Sequence, residues 1–449
     1  MAYDKRVVDA ELARLLAATG CVVLEGPKAV GKTATAQQLA ASSVLLDVDT
    51  NARQLASIDA GLLLAGATPR LIDEWQLEPG LWNQVRREVD NRGRPGQFIL
   101  TGSAVPADDA ARHTGAGRMS RLRIRPMSLF ETGHSSGEVS LSALFHESTP
   151  RAGDSGMTIP AIIDRICVGG WPAVTRLAPA PAQRAMRAYL DEIARTDIQR
   201  VDGVRRDPIR VERVLRSLAR NVATQVSIAT IAADAGGPDG PLERETVREY
   251  LDSLQRLMIV EDAPAWAPAL RSRTRLRTAV TRHFVDPALA VAALNASPAR
   301  LLSDLNLLGF LFESLVVRDL RVYLQHLGGR VLHYRDSNDL EVDLILETED
   351  GRWAAVEVKL GSAQVDNGAE TLLRLTKQLD TSRCGDGPSL PGRRDRDGIR
   401  VHPSRRGQRA SHSYAGALTP HQCMPRGNVS RPVHGPQKRR SSPRTGPLA

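Results

Sequence analysis

The sequence predicts an α/β protein with an N-terminal parallel sheet, a helical middle part and a second, smaller α/β unit. Three observations lead to this class. A short apolar run at 21–25 precedes a glycine-containing loop and a helical segment, apolar residues recur at helical spacing through much of 159–262, and two strand-like stretches lie within 341–359. The spacing of apolar residues separates strands, with period 2, from helices, with period 3.6.

Length and composition allow several domains and predict no membrane span. At 449 residues, 42% of them hydrophobic, the chain is long enough for two to four domains. It has no 18-residue apolar run, and its N-terminal MAYDKRVVDA lacks an apolar core, so we expect a cytoplasmic protein without a membrane partner. The four cysteines are widely spaced, which predicts reduced thiols rather than metal ligands.

The basic excess lies in the C-terminal tail. Residues 381–449 contain 14 Lys/Arg and 3 Asp/Glu, and since the whole chain carries +9, the rest of it is at −2. The tail is rich in Arg, Pro and Ser and poor in large apolar residues, so we expect it to be disordered. Its composition also suits a GC-rich reading frame translated out of register. Resequencing the locus tests this hypothesis, and an intact frame with this tail expressed would contradict it.

A phosphate-binding motif follows the apolar run at 21–25. Residues 26–33 read GPKAVGKT, which is G-x-x-x-x-G-K-[ST] between a predicted strand and a predicted helix. Amide groups of such a loop converge on phosphate oxygens, Lys32 is expected at the β/γ-phosphates, and Thr33 is expected to bind Mg²⁺. The predicted triphosphate-binding residues are Gly26, Pro27, Lys28, Ala29, Val30, Gly31, Lys32 and Thr33.

Two acidic residues follow a later predicted strand. PRLIDEWQ (69–76) places Asp73 and Glu74 at the carboxyl end of an apolar stretch, where α/β sheets bind ligands. We expect Asp73 to bind Mg²⁺ through water and Glu74 to act as general base on the attacking water. The alternative is an ordinary solvated strand end, but the strand-like SVLLDVD (43–49) between loop and acids favours the site.

Two weaker candidates complete this site. The stretch QFILTGS (97–103) ends in Thr101 and Ser103, whose hydroxyls either sense the γ-phosphate or simply cap the strand end. Arg118, in HTGAGR, is a candidate contact to the γ-phosphate of its own or a neighbouring subunit, which makes a homo-oligomer one expectation.

These motifs, together with GAGRMSRLRIRPMSLFE and GGWPAV, resemble a prokaryotic AAA-type P-loop ATPase family with a C-terminal domain of unknown function. The resemblance runs from about residue 15 to residue 380 and implies ATP binding, a winged-helix linker and a restriction-endonuclease-like end domain. The domains predicted are an ATPase domain at 1–135, a helical linker at 155–207, a winged-helix-like domain at 208–285, a restriction-endonuclease-like domain at 300–380 and a disordered tail at 381–449.

The winged-helix interpretation also follows from the residues at 208–262. Two helices, a longer third helix and the strand-like MIVED come in winged-helix order. A DNA-binding version would place the third helix in the major groove. Its exposed face mixes Arg244 and Arg248 with Glu243, Glu245 and Glu249, so an interdomain spacer is the alternative.

The last candidate site lies in EVDLILETEDGRWAAVEVK (341–359). A three-residue loop, with Gly351 left-handed at its third position, would place Asp343 opposite Glu357. With Lys359 and a helical Glu313, these form the helix-Glu, Asp, Glu-x-Lys pattern of restriction-endonuclease-like folds, a candidate metal set for phosphodiester hydrolysis. Ordinary hairpin charges are the alternative, and the strand that normally closes such a fold is missing, so the domain is expected to be incomplete.

Three functions fit these observations. The chain is an ATPase that acts on an attached nucleic-acid module, an ATP-controlled, metal-dependent nuclease, or a non-hydrolysing binding protein that uses ATP as a switch. Glu74 favours hydrolysis, and the missing strand and the near-neutral body count against a nuclease. The sequence therefore predicts an ATPase with ATP and Mg²⁺ as cofactors and DNA or RNA as candidate partners.

Overall fold

The computed structural model describes residues 3–102, 114–146, 153, 155–268, 279–383 and 414–415. The N-terminal part is a parallel sheet of five strands in the order β2-β3-β4-β1-β5. The strands are β1 (Cys21–Glu25), β2 (Ser42–Leu45), β3 (Arg70–Asp73), β4 (Phe98–Gly102) and β5 (Met119–Arg123). This confirms the predicted α/β class and the parallel sheet.

Two apolar clusters cover the faces of this sheet. Five helices supply much of them: α1 (Val8–Ala18), α2 (Lys32–Gln37), α3 (Thr50–Ile58), α4 (Ala60–Leu64) and α5 (Leu81–Arg92). In β1, Val23 packs in a cluster with Trp82, whereas Val22 packs in another with Leu12. The strand is apolar along its length because both of its faces are buried, as expected of a central parallel strand.

The parallel register brings the carboxyl ends of three strands to one edge. Glu25 at the end of β1 is paired with Gly102 at the end of β4, and Ile72 of β3 is paired with Leu100 of β4. The loop after β1 therefore begins at the same edge as Asp73, the last residue of β3, with β4 between the two strands. This edge is where the predicted phosphate loop and acidic pair meet.

The middle of the chain is helical. Its helices are α6 (Leu141–His146), α7 (Ile159–Val168), α8 (Pro179–Glu192), α9 (Ile198–Arg200), α10 (Pro208–Arg220), α11 (Ile228–Gly236), α12 (Arg244–Arg256), α13 (Pro287–Ala293) and α14 (Pro298–Ser303), with a π-helical turn (Ile193–Asp197) between α8 and α9. Thr158 caps α7 by accepting a hydrogen bond from the amide of Ala161, and Gly169, at φ 74°, ends it. Gly169 therefore separates α7 from the segment that leads to α8.

Helices α10, α11 and α12 are followed by two short antiparallel contacts. Val260 pairs with Phe284, and Ala263 pairs with Thr281. The order of three helices and an extended segment is the predicted one, and residues 269–278 between the paired segments lie outside the described residues. The winged-helix assignment stays a prediction.

The C-terminal part is a sheet flanked by two long helices. Its elements are α15 (Leu305–Leu324), β6 (Arg330–Arg335), β7 (Glu341–Glu347), β8 (Trp353–Val358), α16 (Val365–Arg383) and β9 (Tyr414–Ala415), with the antiparallel order β6-β7-β8-β9. The two-residue β9 pairs with β8, so the expectation that no further strand follows is wrong. Beyond Arg383, the predicted disordered tail otherwise lies outside the described residues. The restriction-endonuclease-like fold stays a prediction.

The hairpin between β7 and β8 has the predicted register. Leu344 is paired with Val356, so Asp343 comes opposite Glu357. The amide of Thr348 donates to the carbonyl of Arg352 at 2.9 Å, which leaves a three-residue loop closed by Gly351 at φ 82°. The prediction succeeded because a left-handed glycine at the third loop position fixes the pairing.

One hydrophobic cluster extends from the helical middle into the C-terminal sheet. It includes Ile166 of α7, Leu251 of α12, Leu315 of α15 and Leu344 of β7. The units predicted at 155–207, 208–285 and 300–380 therefore share a core.

No helix in the described part of the chain combines the length and the apolar character needed to cross a bilayer. Cys21 and Cys167 are buried free thiols, as predicted, and Cys384 and Cys423 lie outside the described residues.

Candidate nucleotide-binding site

The loop between β1 and α2 turns sharply through two left-handed residues. Gly31 has φ 100° and Ala29 has φ 58°. A side chain at Gly26 would overlap the carbonyl oxygen of Ile124, so only glycine fits where the loop leaves the sheet. The two glycines of the motif therefore serve different purposes, a left-handed turn at Gly31 and close backbone packing at Gly26.

Lys32 is buried, with 5% of its surface exposed, and its ammonium is held by the loop itself. Its Nζ donates to the carbonyl oxygens of Gly26 at 3.0 Å and Pro27 at 2.9 Å. Burial lowers the pKa of Lys32 to about 8, although Glu74 and Asp73 oppose this shift. The lysine thus lies within the electrostatic reach of both predicted acidic residues.

Asp73 is bound by hydroxyl groups from two directions. Thr33 Oγ1 donates to Asp73 Oδ1 at 2.8 Å, and the hydroxyl of Thr101 donates to the same oxygen. Asp73 is only 5% exposed. Thr101 was predicted as a γ-phosphate sensor or a strand cap, and the structure instead brings its hydroxyl to the carboxylate.

Glu74 has a left-handed backbone with φ 53°. This conformation costs on the order of 1 kcal/mol for a residue other than glycine. Its amide donates to Thr101 Oγ1 at 3.3 Å, and its carboxylate accepts a hydrogen bond from the side-chain amide of Gln76. The carboxylate of Asp73 therefore accepts from Thr33 and Thr101, whereas the carboxylate of Glu74 accepts from Gln76.

The oxygens of Thr33 and Asp73 fit a magnesium ion. Mg²⁺ prefers octahedral oxygen ligands at about 2.0–2.1 Å, which places neighbouring ligands roughly 2.9 Å apart. Thr33 Oγ1 would bind such an ion directly, and Asp73 Oδ1, 2.8 Å from that hydroxyl, would reach it through a bound water, as predicted. Few protein ligands are sufficient where phosphate oxygens and water supply the others.

The two remaining candidates are Ser103 and Arg118. Ser103 lies outside the described residues. The carbonyl of Arg118 accepts from the amide of Cys21 at the start of β1, roughly 16 Å along the strand from the loop, and its guanidinium pairs with Asp90 at 2.7 Å. Contact between Arg118 and the phosphate of its own subunit is therefore excluded in this arrangement, and contact with a neighbouring subunit stays a prediction.

The helical middle part covers the loop. The ammonium of Lys28 pairs with Asp197, at the end of the π-helical turn. The carbonyl of Lys28 accepts hydrogen bonds from Trp171 Nε1 at 3.0 Å and from the Tyr189 hydroxyl at 3.4 Å. The phosphate loop is therefore fixed from outside its own domain.

Sequence reasoning missed these contacts. Trp171 lies in GGWPAV, which contributed only to the resemblance, and Asp197 belongs to no motif. Arg6, which donates to the carbonyl of Val30 at 3.2 Å, comes from an N-terminal segment without a motif. The signal that could have found Trp171 is the rare large aromatic residue beside a Gly-Gly pair.

A second group of charged residues lies on the C-terminal sheet. Lys359 Nζ donates to Asp343 Oδ2 at 3.1 Å and to Glu357 Oε2 at 2.5 Å. Burial, reinforced by Asp343, raises the pKa of Glu357 to about 7. Burial and the same aspartate raise the pKa of Glu313 well above its usual value. The predicted four residues are thus brought into one neighbourhood.

This neighbourhood is not arranged as a metal site. In the described ranges, no group of three or more His, Cys, Asp or Glu is placed to hold an ion. Because the ammonium of Lys359 bridges Asp343 and Glu357, it compensates the charge that an ion would neutralise. The predicted metal set of Glu313, Asp343 and Glu357 is therefore corrected to a lysine-bridged pair with Glu313 nearby.

Three family models match successive parts of the chain. An AAA domain (AAA_14) matches residues 18–133, a domain of unknown function (DUF8612) matches 159–300, and another (DUF4143) matches 308–410. The first covers the five-stranded sheet and the phosphate loop. The chain therefore carries an AAA-type, ATPase-like P-loop domain followed by two domains of unknown function.

Relatives match beyond the ATPase-like domain. The chain is 24% identical over 367 residues to the uncharacterized proteins Mb2031c of Mycobacterium bovis and Rv2008c of Mycobacterium tuberculosis, in each case over 80% of this chain and 74% of the relative. Among solved structures, the Walker-type ATPase PABY2304 of Pyrococcus abyssi is similar with a TM-score of 0.38 and 12% identity, over 65% of this chain and 96% of that chain.

Proposed function

We propose that this protein binds ATP with Mg²⁺ at the loop of residues 26–33 and hydrolyses it. The observation that carries the proposal is the meeting of Lys32, Thr33 and Asp73 at the sheet edge, with Glu74 beside them. The match of an AAA domain to the same residues supports it. An amide-lined loop, a lysine and an acidic pair provide phosphate binding, charge neutralisation and proton transfer.

Each residue has a separate role in this proposal. Loop amides and the Lys32 ammonium bind the β- and γ-phosphates, for which Lys32 exchanges its bonds to Gly26 and Pro27. Thr33 and Asp73 would hold Mg²⁺, which supplies charge neutralisation at the phosphates when bound. Glu74 accepts a proton from water as the water oxygen bonds to the γ-phosphorus and the bond to the β-phosphate oxygen breaks, which releases ADP and phosphate.

Glu74 favours hydrolysis over a simple binding switch. A site that only binds ATP needs no general base, whereas Glu74 is kept in a left-handed backbone conformation beside Asp73. Backbone strain of this kind persists where the surroundings enforce it and is common at active sites.

The test is phosphate release from ATP by the purified full-length chain with Mg²⁺. Lys32→Ala should abolish both ATP binding and turnover, and Glu74→Gln should bind ATP while its turnover falls by about 100-fold or more. Asp47→Asn is the matched control, since Asp47 is an exposed acid just after β2 and should leave turnover unchanged. Wild-type turnover in both site variants would refute the proposal.

The second part of the proposed function is a nucleic-acid module, which fewer observations support than ATP hydrolysis. On α12, Arg248 pairs with Glu245 at 2.8 Å, so part of its positive charge is already compensated. If DNA or RNA is the partner, single- or double-stranded nucleic acid should raise ATP turnover at low salt, and 0.5 M salt should remove the effect. Unchanged turnover with every nucleic acid would count against this partner.

A metal-dependent nuclease, the alternative considered from the sequence, is not proposed, because the ammonium of Lys359 already bridges Asp343 and Glu357. Such an activity would require Lys359 to leave the carboxylates when a metal binds. Nicking of plasmid DNA with Mg²⁺ or Mn²⁺ would then be lost in Asp343→Ala and retained in Asp339→Ala, an exposed aspartate near the start of the same strand. Cleavage that persists in Asp343→Ala would exclude this site as its source.

A further inference from the structure

We infer that Gln76 is a positioning residue for Glu74, and that Gly102 is required for Gln76 to occupy its place. This inference rests on the proposed ATP hydrolysis and adds two residues to its machinery. Neither residue belongs to the loop or to the acidic pair. Both are found only from the side-chain geometry behind Glu74.

The side-chain amide of Gln76 donates to Glu74 Oε2. Since a carboxylate only accepts, the group that faces it must be the NH₂ of the glutamine, which fixes the orientation of the amide. The left-handed backbone at Glu74 leads into a 3-10 turn (Trp75–Leu77), and this turn brings the side chains of residues 74 and 76 together. Gln76 thus restricts the rotation of the carboxylate that is proposed to accept the proton.

The turn that carries Gln76 is anchored. The ring of Trp75 is 3% exposed and packs on Trp82, with ring centroids 5.0 Å apart. Because Trp75 is held by the core of the sheet, the residue that follows it has little freedom to move. Gln76 can therefore hold the carboxylate of Glu74 in one position.

Gly102 leaves the space that the Gln76 side chain fills. A Cβ at Gly102 would lie 2.9 Å from Gln76 Oε1 and 3.1 Å from Trp75 Nε1. Because the anchored indole can give by only a few tenths of an ångström, the flexible end of Gln76 would have to shift, so alanine at residue 102 would displace the amide. Residue 102, the last of β4, is therefore glycine for a steric reason. Its φ is not positive, so the backbone conformation alone would allow another residue.

The orientation of Gln76 leaves one of its own polar atoms unpaired. Gln76 Oε1 is buried without a hydrogen-bond partner among the described residues. Buried polar atoms are rarely left unpaired unless another requirement dominates. Here the bond from the amide NH₂ to Glu74 is that requirement.

The experiment compares kcat and KM for ATP in variants of the full chain. Gln76→Ala removes the donor, and we expect kcat to fall roughly 10- to 100-fold while KM and ATP binding change less than twofold, because misplaced catalytic groups slow the chemical step. Gly102→Ala should reproduce this loss. Gly80→Ala is the matched control, since a Cβ at Gly80 meets nothing within 4 Å, and it should keep wild-type kcat.

The pH profile separates positioning from a merely structural role. Gln76→Glu places a second carboxylate beside Glu74, and the two would share a proton at low pH. The acid limb of kcat should therefore shift to higher pH in Gln76→Glu, with thermal unfolding close to wild type.

The outcomes distinguish this inference from the proposed function. If Glu74→Gln is inactive but Gln76→Ala keeps its kcat within twofold of wild type, the positioning role is wrong and the ATPase assignment stands. If Glu74→Gln retains full turnover, the proposed function itself fails. An unshifted acid limb in a folded Gln76→Glu would also overturn the positioning role.

Discussion

The indole N–H of Trp171 donates to the carbonyl oxygen of Lys28 at 3.0 Å, which joins the helical middle part to the phosphate loop. The same carbonyl accepts from the Tyr189 hydroxyl at 3.4 Å, and the two rings lie 5.3 Å apart. The loop proposed to bind ATP is thereby held by residues more than 140 positions further along the chain.

Trp171→Phe should weaken ATP binding. The phenyl ring keeps most of the apolar contact, although it is smaller than the indole, and the loop would lose its shorter hydrogen bond, a loss of about 1 kcal/mol. We expect the Kd for ATP to rise several-fold in an equilibrium titration. Tyr189→Phe, which removes the longer bond, should have the smaller effect, and equal Kd values for wild type and Trp171→Phe would contradict this role.

ATP affinity should fall as the pH rises through about 8. Burial lowers the pKa of Lys32 to about 8, so the free protein loses the ammonium proton above that pH. ATP favours the charged lysine, and its binding therefore takes up a proton, with a decrease in affinity of up to about tenfold per pH unit. Calorimetric titration between pH 7 and 9.5 measures this directly. Lys32→Arg stays charged and should show a flat profile, and a flat profile in wild type as well would contradict the prediction.

Thr101→Val should reduce turnover with little change in fold. Valine keeps the shape of the side chain but removes the hydroxyl that donates to Asp73 and accepts from the amide of Glu74. With both acids less constrained, we expect kcat to fall about tenfold. Thr230→Val, at an exposed threonine of α11, is the control. Full activity in Thr101→Val would show that this hydroxyl has no part in the site.

Replacing glycine by alanine should have opposite effects on stability at residues 170 and 309. A side chain at Gly170 would overlap the backbone of Met127, so Gly170→Ala should destabilise the fold by more than about 3 kcal/mol or prevent folding. Gly309 lies in α15 with nothing within 4 Å of an added Cβ, and Gly309→Ala should stabilise by roughly 0.5–1 kcal/mol. Urea unfolding measures both. A neutral Gly170→Ala would contradict the close packing of these segments.

The substitution Glu357→Gln should stabilise the fold relative to wild type increasingly as the pH rises. Burial raises the pKa of Glu357 to about 7, so the folded state holds a proton that the unfolded state has released. The contribution of this carboxyl to stability is full below its unfolded pKa near 4.5 and is lost as the pH rises through about 7. The free energy of unfolding of Glu357→Gln relative to wild type should therefore increase between pH 5 and pH 8. A difference in the free energy of unfolding between Glu357→Gln and wild type that stays constant across this range would contradict the prediction.

Local patterns explain what the sequence could predict. GPKAVGKT between a strand and a helix and the hairpin register at Gly351 depend on neighbours in the chain, so spacing was sufficient. The ion pair of Lys28 with Asp197 joins residues 169 positions apart, and no local pattern encodes it. The position of Lys359 between Asp343 and Glu357 depends on side-chain rotamers, which is why a metal set was predicted where the structure has an ion pair.

The most direct test is a single-turnover measurement with labelled ATP bound to excess full-length protein in Mg²⁺. The wild-type chain should convert the bound ATP to ADP and phosphate, and Glu74→Gln should retain it as intact ATP with comparable affinity. Conversion at the wild-type rate by Glu74→Gln, or ATP binding that is unaffected by Lys32→Ala, would contradict ATP hydrolysis at this site.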